Sequence, residues 1–201
     1  KAWHTALVEH HRPYIANRAL ALLALLLDDH KVLRRANSAR LVPKAKHEKR
    51  PVEILTAEEL GVFLPATKST RIRHMLELAI ATGLRHGEAT ALTWADVNLY
   101  PRPAENGDMG EIHVCRAVVT DGRGKRTIGR PKSKSATRTI GLMPEAAEAL
   151  RQQRVLLEAE GQGKSLLVFP NQRGGLQDET NTHRSMRAVI PSERVPSVII
   201  S

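Results

Sequence analysis

ATGLRHGEATALTWADVNL, residues 81–99, breaks a helical pattern at Gly83 and restarts it around a charged pair. Upstream, Met75, Leu76, Leu78, Ala79 and Ile80 give residues 70–81 the buried side of a helix. Beyond Gly83, residues 84–94 resume helical spacing, and Arg85 begins the new turn. A helix start offers unpaired N–H groups and a positive dipole end, both suited to an anion. A planar guanidinium there grips a phosphate in bidentate fashion. Glu88 follows three residues later on the same face, placed to orient Arg85. The two side chains read also, and on physical grounds alone more readily, as a surface ion pair of little energetic weight. Taken alone, the stretch leaves both readings open.

Toward the N-terminus, Thr56 and Glu59 form a capping-box pattern, and Leu55 and Leu60 fit the flanking staple, so a helix and a new domain start there. Residues 36–54 lack a sustained period and carry Pro43, Pro51, Lys44, Lys46, Lys49 and Arg50, as an exposed basic linker does. Before them, Pro13 opens a helix over 14–29. Its run ALALLALLL is apolar on nearly every face, which predicts a core helix of an all-α unit. Toward the C-terminus, residues 107–119 read as a turn and one β-branched strand, EIHVCRAVV. The turn DGRGK, a basic segment and the strand TRTIGLM complete a small antiparallel sheet with a basic loop at its edge. Pro144 opens a long helix to about residue 160, closed by Gly161 and Gly163. LLVF (166–169) predicts a short strand and 178–190 a last helix with Met186, Val189 and Ile190 on one face. The class is α+β, mainly helical.

Of 201 residues, 41% are hydrophobic and 26% charged, as in a folded protein, and the formal net charge is +10. Residues 1–50 hold 11 basic against 4 acidic side chains. Arg123, Lys125, Arg126, Arg130, Lys132, Lys134 and Arg138 follow one another with no acid between them. This excess suits a polyanionic partner, although solvated basic faces or an RNA-binding accessory protein fit the charge as well. With 2 Trp, 2 Tyr and 2 Phe, stacking platforms for single strands are hard to build, so duplex backbone contact is expected. A single cysteine, Cys115, excludes a disulfide scaffold and cysteine-rich zinc modules. The longest apolar run, residues 19–27, falls short of the roughly 20 residues of a membrane span. The first residues lack the apolar core of a signal peptide.

Three other motifs fail on mechanism. Gly161-Gln-Gly163-Lys164-Ser165 ends like a phosphate loop, but the earlier glycine is replaced by Glu158 and the flanking order is helix then strand. His4, His10 and His11 have no acid or cysteine at ligand spacing, so no metal is expected. No nucleophile elbow surrounds any serine.

The block TGLR, a glutamate three residues on, then L-x-W-x-D-V, resembles the first conserved block of the tyrosine recombinase, or phage integrase, family. PKSKSATRTIGLMP resembles that family's strand hairpin, P-K-T-K-x-S-x-R-x-I-P-L; LLVFP resembles the strand that follows; RPYIANRALALLALLLDD resembles the last long helix of its DNA-binding core domain. The resemblance covers about residues 12–175 in order and spacing. It implies a partial helical core-binding (SAM-like) domain over 1–40, a basic linker over 41–54 and a catalytic domain with a small antiparallel sheet over 55–201.

In that family a tyrosine attacks a scissile DNA phosphate, arginines hold the non-bridging oxygens, a lysine protonates the leaving oxygen, and no metal or other cofactor takes part. The resemblance assigns Arg85 as first catalytic arginine, Glu88 as its support and Lys132 as the lysine, with Lys134 as alternate if the hairpin register shifts by two. Arg18, Lys44, Lys46, Lys49, Arg50, Arg126, Arg130, Lys134 and Arg138 are the expected DNA contacts. Implied partners are duplex DNA and further recombinase protomers on it, with no membrane, in the cytoplasm. The sequence departs from the family where an H-x-L-R-H-T block is expected: His183 and Arg187 are four apart, and Tyr14 and Tyr100 both precede the hairpin. The expectation is therefore a recombinase fragment incomplete at both ends and catalytically incomplete as given. A non-enzymatic DNA-binding remnant is the rival.

Overall fold

The computed structural model describes residues 2–10, 13–29, 37–47, 55–130 and 137–189. The chain divides into two compact units, Lys1–Pro51 and Val52–Ser201.

In the first unit, α1 (Ala2–His10) precedes α2 (Pro13–Asp29), whose N1 proline has no N–H to leave unpaired. The stretch after α2, expected as an open linker, contains a 3₁₀ turn over Ser38–Leu41 and is tied to α2 as far as Ala45. Asn17 accepts from the Ala45 N–H at 2.9 Å and donates to its carbonyl at 2.8 Å. Asn37 caps the 3₁₀ turn through Ala39 N–H and donates to Asp28 and to the Ala24 carbonyl. α2 is nevertheless not the buried core helix that its apolar run predicts: only Ala16 and Leu20 are buried. Leu22, Leu25 and Leu26 are 59–64% exposed. α1 and the returning chain pack on α2 along the side of Ala16 and Asn17, whereas an all-round apolar helix needs neighbours on every face to be buried.

The second unit begins with α3 (Ala57–Ala66), and both bonds of the expected capping box form: Thr56 N–H to Glu59 at 2.9 Å and Glu59 N–H to the Thr56 hydroxyl at 3.2 Å. α4 (Arg73–Thr82) packs along α6 (Pro144–Ala159). Leu76 and Leu78 from α4, Leu142, and Leu150 from α6 are fully buried, each contributing roughly 1.5–3 kcal/mol. Arg71 fastens the start of α4 to the far end of α6, holding Glu160 through two guanidinium nitrogens. α5 is short, His86–Ala91, because Leu92 leaves the helical conformation and Trp94–Asp96 turn as a separate 3₁₀ element.

β1 (Val97–Leu99), β2 (Gly110–Val114) and β5 (Arg138–Gly141) form an antiparallel sheet in the order β1-β2-β5. β3 (Ala117–Thr120) and β4 (Arg126–Gly129) form a separate hairpin. The single strand expected over 111–119 is thus two, parted at Cys115 and Arg116, where the Arg116 guanidinium turns to Asp96. Residues expected as a basic segment are paired as β4, with Thr120 opposite Arg126. Gly110 has no alternative: a Cβ there would lie 2.5 Å from the Asn98 carbonyl oxygen. LLVF does not form a strand; Leu167 makes one bridge to Thr93, because the 3₁₀ turn at Trp94 removes the partner for any longer ladder. α7 (Glu179–Val189) starts at Asp178, which accepts from the Asn181 N–H, and seats Met186 in the core. No helix among the described residues is long and apolar enough to cross a membrane.

Candidate functional site

Gly83 stops α4 in the left-handed region, φ 66°, with its N–H on the Ala79 carbonyl at 2.8 Å. The chain then runs extended through buried Leu84, and Arg85 stands as the cap residue of α5. Glu88 closes the cap by accepting the Arg85 N–H at 3.0 Å. With only six residues in α5 and that N–H already taken, any attraction for an anion here lies in side chains rather than in the helix end.

The Glu88 carboxylate is 3% exposed and accepts from two arginines. Arg85 Nη1 donates at 3.3 Å, while Arg138, from β5, grips both oxygens, Nη1 at 3.1 Å and Nη2 at 2.9 Å. Burial pushes the Glu88 carboxyl up, but the Arg138 hydrogen bonds, the Arg85 N–H and the two positive charges outweigh it and hold the group below the usual carboxylate range. The same pairing raises Arg138 above its ordinary value. One carboxylate against two guanidiniums leaves a positive charge, and the Arg85 side chain presents it, 68% exposed.

Arg138, one of the expected DNA contacts, turns its fork to Glu88 and is 32% exposed. The signal for that lies in TRTIGL, where strand alternation sets Arg138 on the inward side with Ile140. An inward arginine requires a buried acid. Arg126, also expected on DNA, donates to Asp178 at 3.0 Å and to the Gln177 carbonyl at 2.6 Å. Arg130 is exposed. Lys132 and Lys134 lie outside the described residues, on the segment 131–136 that joins Arg130 to Thr137. In the first unit Lys44 and Lys46 are exposed on either side of the anchored Ala45, and Arg18 donates to the Tyr14 hydroxyl at 3.1 Å. Lys49 and Arg50 lie outside the described residues.

Two further groups shape the site. Asp96, the acid of the L-x-W-x-D-V block, accepts from the Thr93 hydroxyl at 2.6 Å, the Thr93 N–H at 3.1 Å and the Arg116 guanidinium. It ties the end of the α5 block to the β2–β3 junction. His86, next to Arg85, is buried and in contact with the Thr182 hydroxyl at 3.2 Å, joining α5 to α7. Burial is the main force lowering its pKa, assisted by Arg126 and His183 and opposed by Glu179 and Asp178. Tyr100 lies beyond Leu99, which pairs with Gly110, whereas Arg138 pairs with Val114. At about 3.4 Å per residue these lie roughly 14 Å apart along β2. The Tyr100 phenol is pushed up by burial, Glu111 and Asp108. Among the described residues no cluster of three or more metal-ligating side chains exists.

No family model matches the chain. Prophage integrase IntR of Escherichia coli strain K12 is 27% identical over 143 residues, covering 71% of this chain and 31% of its own length. A XerC-like tyrosine recombinase of Caldanaerobacter subterraneus is 28% identical over 178 residues, covering 78% and 43%. An integrase of Streptomyces ambofaciens is 29% identical over 148 residues, covering 70% and 36%. The chain therefore spans between 31% and 43% of these relatives. Among solved structures, the Tn1549 transposon integrase in complex with a circular intermediate DNA superposes with a TM-score of 0.71 at 17% identity, over 98% of this chain and 66% of that one. A lambda integrase tetramer bound to a Holliday junction gives 0.59 at 17% identity, over 94% and 48%. At that identity the likeness is one of fold.

Proposed function

Because the chain is a relative of the integrases and tyrosine recombinases in sequence, and shares their fold, we propose that it is a DNA-binding part of a site-specific recombinase. Arg85 serves in it as a phosphate-holding arginine. The carrying observation is the exposed Arg85 guanidinium, held beside a buried glutamate that a second arginine already occupies. Such a group supplies fixed positive charge where a transferring phosphoryl group develops negative charge. Glu88 is its support, and Lys132, with Lys134 as alternate, is the proton donor to the leaving oxygen. Lys44, Lys46 and Arg130 contact the duplex backbone, as do Lys49 and Arg50. Residues 1–40 would belong to a core-binding domain, 41–54 to a linker and 55–201 to a catalytic domain. The partners are duplex DNA and further protomers assembled on it, in the cytoplasm. Tyr100, displaced along β2 and with its phenol pKa raised, is not suited to attack a phosphate held by Arg85.

The test is binding of labelled duplex DNA across a salt series. Each phosphate neutralised contributes about −0.9 to the slope of log affinity against log salt, so Arg85→Gln should flatten the slope by about that amount, equally for unrelated sequences. Affinity unchanged by salt, or by Arg85→Gln, would refute the assignment.

A further inference from the structure

We propose that Arg138 is a positioning residue: by occupying Glu88 it keeps the Arg85 guanidinium available for a phosphate. The proposal rests on the reading of Arg85 as a phosphate ligand. A carboxylate that is 3% exposed must keep a cation, and two compete for it. Arg138 wins on geometry, with a fork at 3.1 and 2.9 Å against a single 3.3 Å contact from Arg85. The second Glu88 oxygen also carries the Arg85 N–H at 3.0 Å. Little acceptor capacity is left for the Arg85 side chain, so most of its donors face water. Without Arg138, the buried carboxylate would draw Arg85 inward and neutralise it. A substitution on β5 would thus silence a cation on the α5 cap without touching it.

This differs sharply from a second, independent phosphate contact by Arg138. In that case, neutralising Glu88 could not replace the missing arginine. If Arg138 acts through Glu88, charge balance alone decides: removing the acid together with Arg138 leaves Arg85 positive again. Glutamine at 88 still accepts the Arg85 N–H, so the cap survives the change.

The experiment uses the full chain, a short mixed-sequence duplex and fluorescence anisotropy across a salt series, with circular dichroism on every variant. Arg85→Gln and Arg138→Gln should each weaken binding about tenfold and flatten the salt slope by about 0.9. Their combination should be no more than about twofold worse than either alone, since both remove the same contact. Glu88→Gln with Arg138→Gln should recover affinity to within about threefold of the wild type and restore the slope. Arg138→Lys, which keeps the charge, should retain most of the binding. Losses that add to about a hundredfold, with no recovery when Glu88 is neutralised, overturn this proposal and leave the phosphate reading standing. An Arg85→Gln protein that binds as the wild type does overturns both. Should Arg138→Gln unfold the chain, Glu88→Gln alone decides the matter: it releases both guanidiniums and should tighten binding, and a weakening would be fatal.

Discussion

Asp96→Ala should destabilise the second unit by about 2–3 kcal/mol. The carboxylate is 8% exposed and holds the Thr93 hydroxyl, the Thr93 N–H and the Arg116 guanidinium. Hydrogen bonds to a charged group contribute about 1.5–3 kcal/mol each when buried, which sets an upper range well above the net value. The Arg116 side chain is 38% exposed, so water replaces part of what it loses, and its share is discounted accordingly. What remains is mainly a Thr93 N–H and hydroxyl stripped of their acceptor beside the buried Leu92. For a unit of this size each kcal/mol shifts the midpoint by about 2–4 °C, giving a drop of about 4–12 °C. Trp94, two residues away, reports the transition by fluorescence in a Trp3→Phe background, in parallel urea and thermal unfolding. Asp96→Asn, which keeps an acceptor but loses the charge, should cost about half as much. A loss below about 0.5 kcal/mol for Asp96→Ala would show that this clamp does not hold the turn.

His86 makes the second unit acid-sensitive. Its folded pKa lies below the ordinary 6.5, so its contribution is complete above about pH 6.5 and is lost as pH falls toward the folded value. The thermal midpoint should therefore drop between about pH 7.5 and 5.5 in the wild type and drop less in His86→Gln; equal drops would clear His86 of the effect. Gly83→Ala, at φ 66°, should destabilise by about 1–2 kcal/mol, measured by urea unfolding. Gly87→Ala should be neutral or stabilising by up to about 1 kcal/mol, since its Cβ would meet only the Val118 backbone at 3.5 Å; the reverse order would refute the cap assignment. Incubated with a nicked suicide substrate, the chain should give no covalent protein–DNA adduct on a denaturing gel. An adduct that vanishes with Tyr14→Phe or Tyr100→Phe would identify a nucleophile that the present assignment excludes.

The parts of the fold that were legible in the sequence are those decided within a few residues. The Thr56 capping box, the Gly83 stop, the Pro144 helix start and the DGRGK turn each depend on backbone groups no more than four residues away. The Glu88–Arg85 pair was legible for the same reason. Arg138 is 50 residues from Glu88, and in a run of bases it looked like one more surface cation. The division at Cys115 was hidden because β-branched residues continue on both sides of it, while the cause, Asp96, lies about twenty residues earlier. β4 was masked by its charge: Arg126 carries Asp178 as a partner, which local composition does not reveal. For α2 the apolar run correctly gave a helix, but burial is set by which neighbours are present, and no pattern within the helix encodes that.

The ion pair between β5 and α5 also acts on strand register. Arg138 stands opposite Val114, and Ile140 opposite Ile112. A slip of one residue would swing Arg138 to the far face, bring Thr139 inward and leave Glu88 with neither prong of its fork. Short hydrophobic ladders resist such slips weakly, because isoleucine and its neighbours tolerate substitution for one another; a buried carboxylate does not tolerate the loss of its cation. The pairing of β5 with β2 is therefore keyed by charge as well as by shape: the one register that satisfies the Glu88 carboxylate is the one that sets Arg138 opposite Val114.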